Sequence, residues 1–296
     1  MNKSTHTGFT LIEIAIALII VSILLGYTVA MLPRQQELKQ YRAVKRQMDE
    51  IVEALIGFAQ VNGRLPCPAI PNSSGVEDLD NDGTLPDGCN NYGGFVPVNT
   101  LGLNGRLNDD SLLQDPWGNP YRYYVTNVDF DVDQRSDFVI PGEMRAVGLV
   151  DSDNDRYIDL DGRYLICHDP GDTDDPDNMC LDADNEVFGR FTAFGGGPAS
   201  RYAGAPFVLL SQGKNWNQVA AAGDELENSG SNTTALLDLG MAAGPSAATY
   251  VLKNVAANET VFVRRRSGMA DDFDDVVRWV SPSILFSRMI QAGQLP

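Results

Sequence analysis

The sequence predicts an α+β protein, and three observations carry that prediction. One helical stretch of about fifty residues comes first, and a turn-rich remainder with short strand candidates follows. The two parts also differ in charge: residues 1–60 hold 6 bases and 5 acids, whereas residues 61–296 hold 16 bases and 35 acids. At 296 residues, 43% hydrophobic and 21% charged, the chain can bury one sizeable core or two modest ones. A net charge of −18 argues against nucleic acid as a partner, because phosphate binding needs concentrated Lys and Arg. Only His6 and His168 offer imidazole chemistry.

The first element begins with an apolar run, Phe9 to Leu32, whose single charge is Glu13. As a helix it is roughly 36 Å long, enough to cross a hydrocarbon core of ~30 Å. A cleaved secretory signal is the plainer alternative, with Lys3 as its basic region and Thr28-Val29-Ala30 as a cleavage site. Against it, the run exceeds a usual signal core of about 7–15 residues, and a helical pattern continues beyond it. Tyr41, Val44, Met48, Ile51, Val52, Leu55, Phe58 and Ala59 recur at steps of three and four, one apolar stripe of an amphipathic helix. Pro33 predicts a kink, Asn62-Gly63 a stop, and Pro66 and Pro68 bar resumption. Residues 9–32 thus form a transmembrane half and residues 33–62 an amphipathic half, packed on a head domain of residues 63–296.

Glu13 stands out, because a carboxylate in a spanning segment costs several kcal/mol and marks a function or a partner. Its surroundings, Thr7-Gly8-Phe9-Thr10-Leu11-Ile12-Glu13, resemble the amino-terminal segment of type IV pilins and type II secretion pseudopilins. The resemblance implies a leader of residues 1–8. Prepilin peptidase would cut it between Gly8 and Phe9 on the cytoplasmic face and methylate the Phe9 amine. It also implies that Glu13 pairs with the Phe9 amine of a neighbouring subunit, relieving two charges that are each costly in lipid. The partners implied are other pilin or pseudopilin subunits, the peptidase and an inner-membrane assembly platform. The location implied is a single-pass inner-membrane protein with a periplasmic head, later part of a pseudopilus or pilus.

The head repeats the resemblance in pieces. Asp115-Pro-Trp-Gly-Asn-Pro-Tyr-Arg-Tyr123 is similar to the turn that leads major pseudopilins into their first sheet strand. Its prolines and glycine predict a rigid turn, anchored by Trp117 and Tyr121. Ala205–Asn215 resembles the family's strand and Ser-x-Gly turn, and Asp271–Val280 its closing acidic loop and last strand. Ala248–Leu252 and Thr260–Arg264 are further strand candidates by their β-branched and aromatic content. Arg264-Arg265-Arg266 reads as a solvated hairpin end, the alternative being a site for an acidic partner. An antiparallel sheet of four to six strands results, and the resemblance implies a ladle-shaped, pilin-like fold. Insertions at about 124–204 and 216–259 exceed a compact pseudopilin and point to a minor subunit, at the tip or as an adaptor.

Cys67, Cys89, Cys167 and Cys180 all follow the membrane segment, so an oxidising compartment favours two disulfides. Three pairings are possible; Cys67–Cys89 and Cys167–Cys180 each close a local loop, worth ~3 kcal/mol apiece. No CxxC spacing supports zinc instead.

Asp78, Asp80, Asp82 and Gly83 match the opening of an EF-type calcium loop, with Asp87 near the place of its bidentate acid. Asp151, Asp153 and Asp155 repeat the opening, with Asp159 and Asp161 following. A third cluster spans Asp172 to Asp184. Calcium is the expected cofactor, since acids this dense repel one another unless neutralised. The resemblance adds the region of Asp271, Asp272, Asp274 and Asp275, where Lys214 stands at the facing turn. The function expected is a structural subunit of a pilus or pseudopilus, the alternative a pilus-tip adhesin. A membrane-anchored hydrolase fits less well, because no G-x-S-x-G elbow or Walker-type loop is present.

Overall fold

The computed structural model describes residues 11–80, 88–127, 129, 133–145, 165–168, 205–214, 261–264 and 274–295. The chain divides into two units, Met1–Ala43 and Val44–Pro296. Helix α1, Leu11–Asn62, is continuous through Pro33. It stops where Asn62-Gly63 predicts: Gly63 takes a positive φ of 70°, and its N–H donates to Ala59 O at 2.8 Å.

In the second unit most of the predicted stripe is buried, while its Val52 and Phe58 are half-buried. Val44, Met48, Ile51, Leu55 and Ala59 are fully buried, each larger side chain contributing roughly 1.5–3 kcal/mol. They meet a four-stranded antiparallel sheet of β3 (Gly93–Phe95), β4 (Arg122–Val125), β6 (Phe207–Ser211) and β8 (Val276–Trp279), in the order β3-β4-β6-β8. Its three longest strands are β4, which follows the 115–123 turn, β6, within the 205–215 strand-and-turn stretch, and β8, within the 271–280 loop-and-strand stretch. A hairpin of β1 (Leu79–Asp80) and β2 (Gly88–Cys89) lies outside that sheet.

Register sorts the side chains onto two faces. Tyr123, Leu209 and Arg278 stand level on the face toward α1, where the Tyr123 hydroxyl donates to Pro66 O at 3.0 Å. Arg278 there donates to Asp49 of α1. Phe95, Leu112, Tyr124, Val208, Leu210 and Val277 fill the opposite face. That second face is covered by Phe262, whose ring centroid is 5.0 Å from that of Tyr124.

Phe262 belongs to β7 (Val261–Arg264), which runs parallel to β5 (Leu165–His168). The strand candidate at 260–264 therefore forms, but in a separate parallel pair rather than in the antiparallel sheet. An all-antiparallel arrangement was the expectation; spacing alone cannot tell which strand a lone β-branched run will pair with. Helix α2, Pro282–Gln291, is a further departure, since no helix was expected after the last strand. Its Leu285, Phe286 and Met289 are buried, and proline sits in its first turn. Ala248–Leu252, Arg265 and Arg266 lie outside the described residues.

Candidate functional site: an exposed apolar helix and a disulfide hairpin

Within the first unit, the side chains from Leu11 to Leu25 are exposed along their whole length, Leu11 by 89% and Leu18 by 62%. Every face is apolar except at Glu13 and Ser22, and the Ser22 hydroxyl is satisfied by Leu18 O at 2.7 Å. Fifteen residues of helix span roughly 22 Å. Among the described residues no helix is long and apolar enough to cross a membrane. An apolar surface this complete on a helix wants lipid or other helices around it. Gly8 and Phe9 lie outside the described residues.

The hairpin is built from the helix end outward. Arg64, just past α1, makes a bidentate pair with Glu77 at 2.7 and 2.8 Å, and both side chains are nearly buried. Its guanidinium also lies 5.1 Å above the Phe58 ring. The same Glu77 carboxylate accepts the Cys67 N–H at 3.0 Å, and this fixes Cys67 opposite the hairpin. Cys67 and Cys89 form a disulfide with Cα atoms 5.4 Å apart, the pairing favoured from sequence. Cys167 lies on β5, and Cys180 is outside the described residues.

Asp78 and Asp80 sit on this hairpin. Asp78 Oδ1 accepts from the Asn90 side chain at 3.1 Å, while its Oδ2 is buried with no hydrogen-bond partner. Burial raises the Tyr92 hydroxyl above its ordinary range, and the nearby Asp80 charge adds to this. Asp82 and Asp87 lie outside the described residues, as do Asp151, Asp153, Asp155, Asp159, Asp161 and the 172–184 cluster. Among the described residues no group of three or more acid, His or Cys side chains is placed to hold a metal.

The Asp115–Pro120 turn forms as a hydrogen-bonded turn, but its anchor differs from the one expected. Asp115 is 1% exposed and accepts three hydrogen bonds: from Trp117 N–H and Asn119 N–H at 2.9 Å, and from the Ser211 hydroxyl at 2.7 Å. Burial raises its carboxyl to about 6, against the opposing effect of those donors. Trp117 is only half-buried, and its indole N–H has no partner. Asn119 donates to Gly213 O at 2.5 Å, tying the turn to the end of β6. The Tyr121 half of the expected anchor holds: its ring is buried and its hydroxyl donates to Gln47 at 3.0 Å. Of the closing acidic loop, Asp274 is placed against the Ser-Gln-Gly turn, and Asp271 and Asp272 lie outside the described residues. Asp274 lies over Gly213, where a Cβ would come within 2.3 Å of its carboxyl carbon, and it accepts the Lys214 N–H at 2.5 Å. Asp115 has no expected role from sequence; its place before a proline is the one local signal of a side-chain-capped turn, and its burial has no such signal.

A fully apolar helix surface headed by one acid suits contact with lipid or with other helices. Consistent with that, residues 3–29 match the family model described as the prokaryotic N-terminal methylation motif, the signature of type IV pilins and pseudopilins. That motif implies, in general, processing by prepilin peptidase and assembly with other pilin subunits, and it points to a structural subunit rather than an enzyme. Comparison with curated proteins and with solved structures gives no match.

Proposed function

We propose that this chain is a minor structural subunit of a type IV pilus or a type II secretion pseudopilus. The methylation motif at 3–29, continuous with an exposed apolar helix surface, carries this reading. In it, residues 9–32 anchor the precursor in the inner membrane with the head in the periplasm. Cleavage after Gly8 frees the Phe9 amine, which is methylated. Glu13 of one subunit then accepts the charge of its neighbour's Phe9 amine, and the apolar surface passes from lipid to protein contacts as the assembly platform adds subunits. Mass spectrometry of the mature chain tests this: a methylated start at Phe9 is expected, and a start at Met31 contradicts it.

Calcium belongs to the same proposal. The hairpin turn is its site, with Asp78 and Asp80 as ligands and the loop sequence adding Asp82 and Asp87. The chemistry suits a hard cation, since all are carboxylates and the buried Asp78 Oδ2 lacks a donor. Millimolar calcium should raise the melting temperature of the full chain in detergent by a few degrees over a magnesium control. Asp78→Asn with Asp80→Asn should abolish the rise, and no shift in the unsubstituted chain removes the metal.

A further inference from the structure

We propose that Asn104-Gly105 is a site of self-modification, at which Asn104 loses its side-chain nitrogen as ammonia and becomes aspartate and isoaspartate, whereas Asn62-Gly63 stays intact. The two pairs open the same tetrapeptide, Asn62-Gly63-Arg64-Leu65 and Asn104-Gly105-Arg106-Leu107. Asparagine is thermolabile, and most so before glycine, which has no Cβ to shield its backbone nitrogen from the preceding side-chain carbonyl. Local sequence gives both pairs the same reactivity, so the fold decides between them.

At the first pair both reacting groups are held elsewhere. The Asn62 side-chain N–H donates to Phe58 O at 2.9 Å, and the Gly63 N–H donates to Ala59 O at 2.8 Å. Gly63 is also buried, so attack there requires the last turn of α1 to open. At the second pair these restraints are missing. Asn104, Gly105 and Arg106 are exposed, and among the described residues neither the Asn104 side chain nor the Gly105 N–H has a hydrogen-bond partner. Packing nevertheless keeps the glycine: a Cβ at 105 would lie 2.4 Å from Leu113 Cδ1 and 3.1 Å from the Gln47 side chain. Leu113 is 2% exposed and has no room to yield. The fold thus demands the one residue that leaves Asn104 open to attack.

The Gly105 backbone nitrogen gives up its proton and bonds to Asn104 Cγ. The Cγ–Nδ2 bond breaks, and that nitrogen takes up a proton and leaves as ammonia. Water then opens the cyclic imide that remains. Breaking the bond from Gly105 N to Cγ gives aspartate; breaking the bond from Gly105 N to the Asn104 backbone carbonyl carbon gives isoaspartate. Nothing is oxidised or reduced, and water is the only co-reactant. Each converted copy gains a negative charge beside Arg106, in a stretch anchored on both sides by Leu103 N–H to Val98 O at 2.9 Å and Gln114 N–H to Arg106 O at 2.8 Å. The change holds whether or not the chain enters a fibre.

The test incubates the full chain in detergent at neutral pH and physiological temperature, in water enriched in heavy oxygen, and follows both pairs by peptide mapping with mass spectrometry. In the folded chain Asn104 should convert at least about tenfold faster than Asn62, since Asn62 must first break two hydrogen bonds. In urea, with the disulfide reduced, the two should convert at similar rates. Aspartate and isoaspartate should both appear at 104 carrying the heavy oxygen, and Asn104→Gln should remove both. Equal rates in the folded chain, an Asn104 that stays intact there, or aspartate without isoaspartate would each overturn the proposal.

Discussion

Leu11–Leu25 and Val44–Asn62 belong to one helix, both are rich in Leu, Ile and Val, and their surroundings are opposite. The first stretch has apolar side chains on every face, all exposed; the second has an apolar stripe that is mostly buried and a charged face that is not. Helix formation is common to both and so cannot be what separates them. The distribution of polar residues is. Where Lys45, Arg46, Asp49, Glu50 and Glu53 occupy one side, the helix has a wet face and can bury the other in its own chain. Where no such side exists, one chain cannot cover the helix, and the remaining apolar surface calls for lipid or neighbouring subunits.

The sharpest way to break this comparison is at Glu13. Glu13→Ala makes the first stretch still more apolar, which should favour residence in lipid; if assembly depends on the pairing of that carboxylate, incorporation into fibres should nevertheless be lost. Quantifying the chain in sheared fibres against total membrane protein measures this, and normal incorporation would show the acid to be dispensable.

Leucine-to-alanine substitutions in the two stretches come next. Leu55 is fully buried, so Leu55→Ala should cost about 2–5 kcal/mol through lost transfer energy and the cavity left behind. Leu18 is exposed, and Leu18→Ala should leave the melting temperature of the full chain in detergent unchanged. Equal shifts for the two would mean that the first stretch is also packed within its own chain.

The smallest effect concerns how the head is held rather than the helix. Asp115 titrates at about 6 in the folded chain against an ordinary value of 3.8, so the folded state favours its neutral form. Its contribution is present in full below pH ~4 and is lost as pH rises through about 6, at most on the order of 3 kcal/mol. Many other acids titrate in the same window, so the difference between the native chain and Asp115→Asn isolates it. That difference should change between pH 4 and pH 6.5 and be flat above, measured by urea unfolding at each pH. A difference independent of pH would place the residue's role in hydrogen bonding alone.

Much of this architecture was legible beforehand for a local reason. The period of Val44, Met48, Ile51, Leu55 and Ala59 identifies a buried helix face without knowledge of what covers it. Asn62-Gly63 ends the helix because only a residue tolerant of positive φ closes it cheaply. Cys67 and Cys89 pair across a short loop. Helix α2 escaped notice because its apolar residues span under three turns next to a strand of similar composition. Asp115 was hidden differently: in sequence it is one acid among many, and only the packing of Ser211, Trp117 and Asn119 around it removes it from water.

The sequence by itself determined the long helix, its stop and the amino-terminal motif, because each depends on residues near one another in the chain; the sheet's first and last long strands were reached through the resemblance, and Cys67–Cys89 was the favoured one of three pairings. Only the tertiary structure decided that Phe262 covers the sheet's second face, that β5 and β7 run parallel, and that Asp115 is buried. Those outcomes depend on which distant segments meet, and chain-local propensity carries no information about that.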